Sequence, residues 1–270
     1  MKAGGVTASL QSIGATGGIK TEAKHAIAAA LRRSGLISDR DYLTAITGRS
    51  QYVVVSVPSY FSSPSPEIPL IMSDYRENGY NHRMAEQMLQ ETHLHHGHQP
   101  CTCHCREHGG GCRMEVESIQ RLENRALFQR FKAYEAIVAE DLSHSDVSDE
   151  VLVHGTRKAK LNSVLRDGLR TKFSLQKTPD GLYGRGLYFA TNSCKAFQYA
   201  GHGGCIILCR VVLGRIERLE DQCYRRFLIG PPFHSAMAES GFTRGQDQVH
   251  DEFIVYNDEA VYPEFVLTMR

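Results

Sequence analysis

Apolar positions in the first third of the chain recur at three and four residues, whereas in the second half they come in short, dense, β-branched runs. The first spacing predicts helices and the second predicts strands. From Thr21, the residues Ala26, Ile27, Ala30 and Leu31 trace one helical face that stops at Ser34 and Gly35, with Thr21 placed to cap it. A second short helix is expected over 38–46, where Asp39 and Asp41 suit the positive end of its dipole. Residues 51–57 read as a strand, 58–69 as a proline-rich extended connection and 81–92 as a helix. Ile119, Leu122, Leu127, Phe128, Phe131, Tyr134, Ile137 and Val138 predict one amphipathic helix over 118–141.

After a polar connection, strands are expected at 151–154, 187–190, 205–213, 252–256 and 265–269, with helices at 159–168 and 192–199. That order predicts an α+β unit of mostly antiparallel sheet over 118–270. It is preceded by a flexible arm (1–20), a small helical and extended region (21–92) and a Cys/His-rich segment (93–117). At 270 residues and 41% hydrophobic content, the chain can bury a sizeable core.

Charge excludes little but favours less. Residues 1–120 carry 11 Lys or Arg against 11 Asp or Glu, and the remainder 20 against 19. A nucleic-acid partner is therefore possible but not supported by charge. The first residues hold no apolar signal core, and runs such as 205–209 are too short to span a bilayer. The expectation is a soluble, unsecreted protein without a membrane partner, intracellular and either cytoplasmic or nuclear. The sequence does not indicate its oligomeric state.

Four of the eight cysteines, Cys101, Cys103, Cys105 and Cys112, fall within twelve residues, beside His108 and after His93, His95, His96 and His98. Such clustering argues for a metal and not for a disulfide framework. Cys101, Cys103, Cys105, Cys112 and His108 are the candidate ligands of a zinc ion, structural in kind because a closed thiolate shell leaves no open position. The spacing fits no standard finger, and an exposed metal-scavenging loop is the alternative. The segment could also form a partner-binding knob, although Arg106 and Arg113 are the basic residues nearby and give nucleic acid little to hold.

Three segments carry further chemistry: Val153-His-Gly-Thr156, Gly184-Arg-Gly-Leu-Tyr-Phe-Ala190 and Asp251-Glu-Phe-Ile-Val-Tyr256. Each alone has a structural explanation, since strand-end histidines and Gly-x-Gly turns are common. Their order and their strand contexts act together. With the Tyr262-Pro-Glu-Phe-Val266 ending, they make the chain over about 121–270 resemble the poly(ADP-ribose) polymerase family of NAD-dependent ADP-ribosyltransferases, whose signature is His-Tyr-Glu. Within that family, Pro231-Pro-Phe-His234, the modest interval from Leu213 to Glu252 and Val261-Tyr-Pro-Glu264 are most similar to tankyrase-type catalytic domains. No Cys cluster follows Tyr188 where a tankyrase-type zinc site would stand, and ankyrin repeats are absent. The lack of Trp removes the Trp-Trp-Glu module that often accompanies the family.

The resemblance implies an ADP-ribosyltransferase fold with a split sheet and NAD+ as substrate, cleaved at the nicotinamide bond. ADP-ribose would pass to a protein acceptor as single units or as polymer. His154, Tyr188 and Glu252 become the catalytic trio, Glu252 stabilising positive charge on the ribose. His154 and Thr156 would hold the adenine-side ribose, Gly155 the carboxamide, Tyr188 and Tyr199 the pyridine faces, and Arg170 the pyrophosphate or adenosine. Lys195 matches a common residue near the site. Ala196 stands where the family usually has a Ser that bonds the carboxamide, which predicts weaker binding of NAD and inhibitors unless Ser193 substitutes. The alternatives are a catalytically inactive interaction module on the same fold, or transfer to nucleic acid. No autoinhibitory helical domain is evident upstream, though 20–100 could occlude the cleft.

Overall fold

In this computed structural model, the residues described are 70–72, 87, 89, 116–143, 147, 149–171, 181–240 and 250–270. The predicted arm, the two predicted helices before residue 50, the strand expected at 51–57 and the Cys/His segment up to residue 115 lie outside them. Gln87 and Leu89 are helical, within the helix expected over 81–92.

Two sheets form an α+β architecture. The larger runs β1 (Leu70–Met72), β2 (Val116–Glu123), β9 (Val261–Met269), β5 (Cys205–Val212) and β3 (Asp149–Thr156), every neighbour antiparallel. The smaller runs β4 (Leu187–Phe189), β8 (Glu252–Val255), β7 (Ser235–Ala238) and β6 (Ile216–Arg218), parallel only between β6 and β7. The two sheets join where Val153 on β3 and Ala190 after β4 exchange backbone hydrogen bonds of 2.9 and 3.1 Å. This junction places the end of β3 beside β4.

Strand β5 is buried on both faces, which explains its unbroken apolar run. Ile207, Cys209 and Val211 face a cluster with Phe128, Phe131, Tyr134 and Val138 of helix α1 (Arg125–Asp141). Ile206 and Leu208 face the opposite cluster, with Ala196, Phe197 and Ala200 of helix α3 (Ser193–Ala200). Helices α1 and α3 thus cover opposite faces of the large sheet. Leu89, fully buried, completes the α3 side. Helix α2 (Leu161–Asp167), after a short 3-10 turn at Lys158–Lys160, adds Val164 and Leu165 to the α1 side. No helix among the described residues is long and apolar enough to cross a membrane.

The helix expected over 118–141 is in fact a strand followed by a helix. Asn124 breaks the run: its Oδ1 accepts from Leu127 N at 3.1 Å and caps α1, while its Nδ2 donates to the Leu165 carbonyl at 3.1 Å. Ile119 and Leu122 fit a helical spacing, yet on β2 they face opposite ways, Ile119 into the α3-side cluster and Leu122 into the α1-side cluster, and Arg121 and Glu123 are buried beside them. Arg121 is tolerated there because its guanidinium reaches Glu264 of β9 at 2.7 Å and lies over the Phe265 ring. Buried charges disguise the period-two pattern that would have marked a strand.

Candidate active site

Residue Gly155 sets how closely α3 can approach β3. A Cβ at this position would overlap the Ala196 carbonyl oxygen and crowd Ala200 N, so the strand and helix pack at backbone contact only because no side chain intervenes. That contact carries Lys195 and Tyr199 to the edge of the sheet where His154 emerges. Here the missing Cβ serves helix packing, a role separate from any approach by a ligand.

His154 precedes this glycine, and its Nδ1 lies 2.8 Å from the Tyr188 carbonyl oxygen. A carbonyl only accepts, so Nδ1 carries the proton and, in the neutral ring, Nε2 is an acceptor. The bond ties β3 to β4 one residue beyond the sheet junction. The Phe189 ring lies 5.6 Å away, centroid to centroid. Thr156, the last residue of β3, is buried opposite Cys205.

The phenol of Tyr188 is held at its far end. Its oxygen accepts from Tyr183 N at 2.9 Å and donates to the Gly184 carbonyl at 2.8 Å, and Gly181 lacks the Cβ that would collide with it. Burial pushes the phenol pKa well up, Tyr183 N opposes this, and Tyr256 and Glu252 add to it, so the side chain stays neutral. With its hydroxyl engaged, Tyr188 offers a fixed ring.

Glu252 opens β8, on the strand that pairs with β4, and is 4% exposed. Its Oε1 is 2.5 Å from Lys195 Nζ, and that ammonium lies 5.6 Å from the centroid of the Tyr199 ring. Burial pulls the Lys195 pKa down, but the charge of Glu252 prevails and the net shift is upward. Tyr199 is 59% exposed and forms the rim.

The contacts close a ring: β3 to β4 through His154, β4 to β8 by pairing, β8 to α3 through Glu252 and Lys195, and α3 back to β3 at Gly155. Six of the expected site residues, His154, Gly155, Tyr188, Lys195, Tyr199 and Glu252, lie on it, with Thr156 next to Gly155. Arg170 follows α2, exposed, with Nη2 3.5 Å from Asp167, and belongs to none of these contacts. Ser193, the expected stand-in for the hydroxyl missing at Ala196, is fully buried and donates to the Leu89 carbonyl at 2.7 Å. Its proton is already committed. Cys101, Cys103, Cys105, His108 and Cys112 lie outside the described residues, among which no group of three metal-ligating side chains occurs.

Sequence reasoning missed Cys194 and His250, which touch beside the Lys195–Glu252 pair, and Tyr183, which backs Tyr188. The first two sit next to Lys195 and two residues before Glu252, and that adjacency is the signal that could have found them.

Residues 101–230 match the family model of the poly(ADP-ribose) polymerase catalytic domain. The matched span contains His154, Tyr188, Lys195 and Tyr199 and ends before Glu252. The chain is also similar to a probable poly(ADP-ribose) polymerase of Dictyostelium discoideum, 26% identical over 168 residues, covering 58% of this chain and 44% of that protein. The chain thus spans less than half the length of this relative. The mixed, strand-rich α+β architecture is compatible with such a catalytic domain.

Proposed function

We propose that the chain is an NAD-dependent ADP-ribosyltransferase, cleaving the nicotinamide-ribose bond and transferring ADP-ribose to a protein acceptor. The observation that carries this reading is the buried Glu252 carboxylate, held by Lys195 at the start of β8, the strand that pairs with the Tyr188-bearing β4. The family match and the Dictyostelium relative support it.

In this reading the Tyr188 ring, pinned at its hydroxyl, stacks on one face of the nicotinamide and Tyr199 at the rim closes on the other. The main chain of Gly155 binds the carboxamide. His154 Nε2 accepts from a ribose hydroxyl of the adenosine half, with Thr156 beside it. Arg170 is assigned to the pyrophosphate or adenosine on the resemblance alone. As the C1′–N bond breaks, its electron pair leaves with nicotinamide and C1′ gains oxocarbenium character. Glu252, directed by Lys195, stabilises that charge and hydrogen-bonds the 2′-hydroxyl. The acceptor nucleophile then bonds to C1′ and loses its proton, with Glu252 placed to orient it.

Retention of Glu252 allows either single-unit or polymer product. The tankyrase-type likeness rests on Pro231-Pro-Phe-His234 and Val261-Tyr-Pro-Glu264. The Cys/His segment is assigned to structural zinc on its residue types, and metal content of the purified chain before and after Cys101→Ser/Cys103→Ser tests that assignment.

Ala196, with Ser193 diverted to Leu89, favours one rival: an interaction module that keeps the fold without turnover. Purified protein incubated with labelled NAD, with protein and nucleic-acid acceptors side by side, separates the readings. Label on protein supports the proposal. Label on nucleic acid alone would redirect it, and no nicotinamide release from folded protein supports the rival.

A further inference from the structure

We propose that Cys194 and His250 form a buried latch that positions Glu252. Cys194 Sγ and His250 Nε2 lie 3.6 Å apart, a thiol-imidazole hydrogen bond across 56 residues of sequence. The two residues are 1% and 2% exposed, so the pair is shut off from solvent.

Their neighbours give the bond its meaning. Cys194 directly precedes Lys195, and His250 stands two residues before Glu252. The two elements that supply the Lys195–Glu252 ion pair are therefore joined a second time, immediately beside it. Lysine reaches its partner through four rotatable bonds and offers a point charge without directional preference, so it fixes the distance to the carboxylate better than its direction. Cysteine turns about one side-chain torsion and histidine about two, which makes this link stiffer.

The latch sits where the strand needs it. Glu252 is the first residue of β8, its ladder beginning at the Ala238 pairing. Upstream, Asp251 Oδ1 accepts from Ser240 N at 2.7 Å, and His250 adds a side-chain anchor on the opposite element, α3. Strand ends open more easily than strand centres. Anchoring His250 to α3 suppresses that opening at the residue whose carboxylate must be held within a fraction of an ångström.

Cys194 and His250 are thus positioning residues, acting through Glu252. The inference rests on the ADP-ribosyltransferase reading, and its test separates the two. Nicotinamide release by Cys194→Ala, Cys194→Ser, His250→Leu and the double variant Cys194→Ala/His250→Leu would be followed at 25 °C. Hydrogen exchange would be measured on the same proteins.

With the latch, each of Cys194→Ala and His250→Leu lowers kcat about tenfold with KM for NAD within about twofold. The double variant loses no more than either single one, because both remove the same contact. Cys194→Ser, which keeps a donor, recovers to within about threefold of the unaltered protein. Unchanged kcat in Cys194→Ala, or losses that multiply in the double variant, overturn the latch and leave the reaction assignment standing. If the unaltered protein releases no nicotinamide, the reaction assignment fails and exchange decides the latch. Cys194→Ala must then speed exchange of the amides of 252–255 about tenfold, and unchanged exchange there overturns it. Cys194→Ala removes a single heavy atom, so the test does not depend on His250→Leu folding.

Discussion

The carboxylate of Glu252 lies 2.5 Å from the ammonium of Lys195, and the two residues, 57 apart in sequence, come from β8 and from α3, the helix that packs on β3 at Gly155. Removing one member of such a pair leaves the other charge buried. Lys195→Met is therefore expected to destabilise the protein by about 2–3 kcal/mol and to lower kcat for NAD cleavage at least tenfold, because Glu252 loses its orienting partner. Urea unfolding together with nicotinamide release checks both. Unaltered kcat in a folded Lys195→Met protein would show that the pair is structural.

Gly155→Ala places a Cβ on the Ala196 carbonyl oxygen, a backbone atom that can yield only if the whole of α3 shifts. A loss of about 2–3 kcal/mol is expected, accompanied by loss of NAD cleavage. Gly201→Ala makes the contrast. A Cβ there meets nothing within 4 Å, but φ +66° with ψ −179° is backbone that essentially only glycine adopts, so the cost is about 1–3 kcal/mol of backbone strain with cleavage retained. Equal effects of the two substitutions on cleavage would contradict the packing account of Gly155.

Ala196→Ser restores a hydroxyl to α3 where the structure supplies none, since Ser193 is bonded to Leu89. One neutral hydrogen bond contributes about 0.5–1.5 kcal/mol, which corresponds to roughly two- to tenfold tighter binding of nicotinamide and NAD. Inhibition by free nicotinamide measures this directly. No gain in affinity would mean that the hydroxyl position at 196 does not face the carboxamide.

Alkaline pH should weaken the fold through two tyrosines. Burial is the first cause in both, and raises the pKa of Tyr188 and Tyr256 well above the ordinary tyrosine value. Below about pH 10 both are protonated whether folded or unfolded, and contribute no slope. Above it the unfolded chain releases protons that the folded chain retains, so stability falls as pH rises. Lys195 acts in the same direction: its raised pKa gives stability that is complete below its unfolded value and lost as pH climbs through the folded one. Melting temperatures from pH 8 to 11.5 should decline gently from about pH 9, where the buried thiols of Cys205, Cys209 and Cys223 hold protons that the unfolded chain releases, and more steeply above about pH 10. Tyr256→Phe, though it loses the 2.7 Å bond to the Tyr183 carbonyl, should show a shallower decline, and an unchanged slope would refute the assignment.

The strands that carry the candidate site residues were more legible in the sequence than the path of the chain around them, and the resemblance grouped those residues. β3, β5 and β8 announce themselves as dense β-branched runs, and His154, Tyr188 and Glu252 stand at strand positions that local pattern can place. Lys195 and Tyr199 follow at one helical turn. The partition at Asn124 was hidden because Arg121 and Glu123 are buried on β2 as members of polar contacts, and hydropathy counts such residues as outward-facing. The strands β6 and β7 are three and four residues long and too short to show a period. That Leu70–Met72 adds an edge strand to the large sheet, and that Leu89 packs under α3, depends on contacts at long separation that no local window contains. The Cys194–His250 bond belongs to the same class.

The role proposed for Glu252 in NAD cleavage and ADP-ribose transfer is tested by incubating the purified protein and its Glu252→Gln variant with NAD labelled in the ADP-ribose moiety, resolving protein-bound label and released nicotinamide. Glu252→Gln keeps the shape and a hydrogen-bonding group but loses the charge, so the account predicts a folded variant whose transfer falls at least a hundredfold. Equal transfer by the two proteins would contradict it.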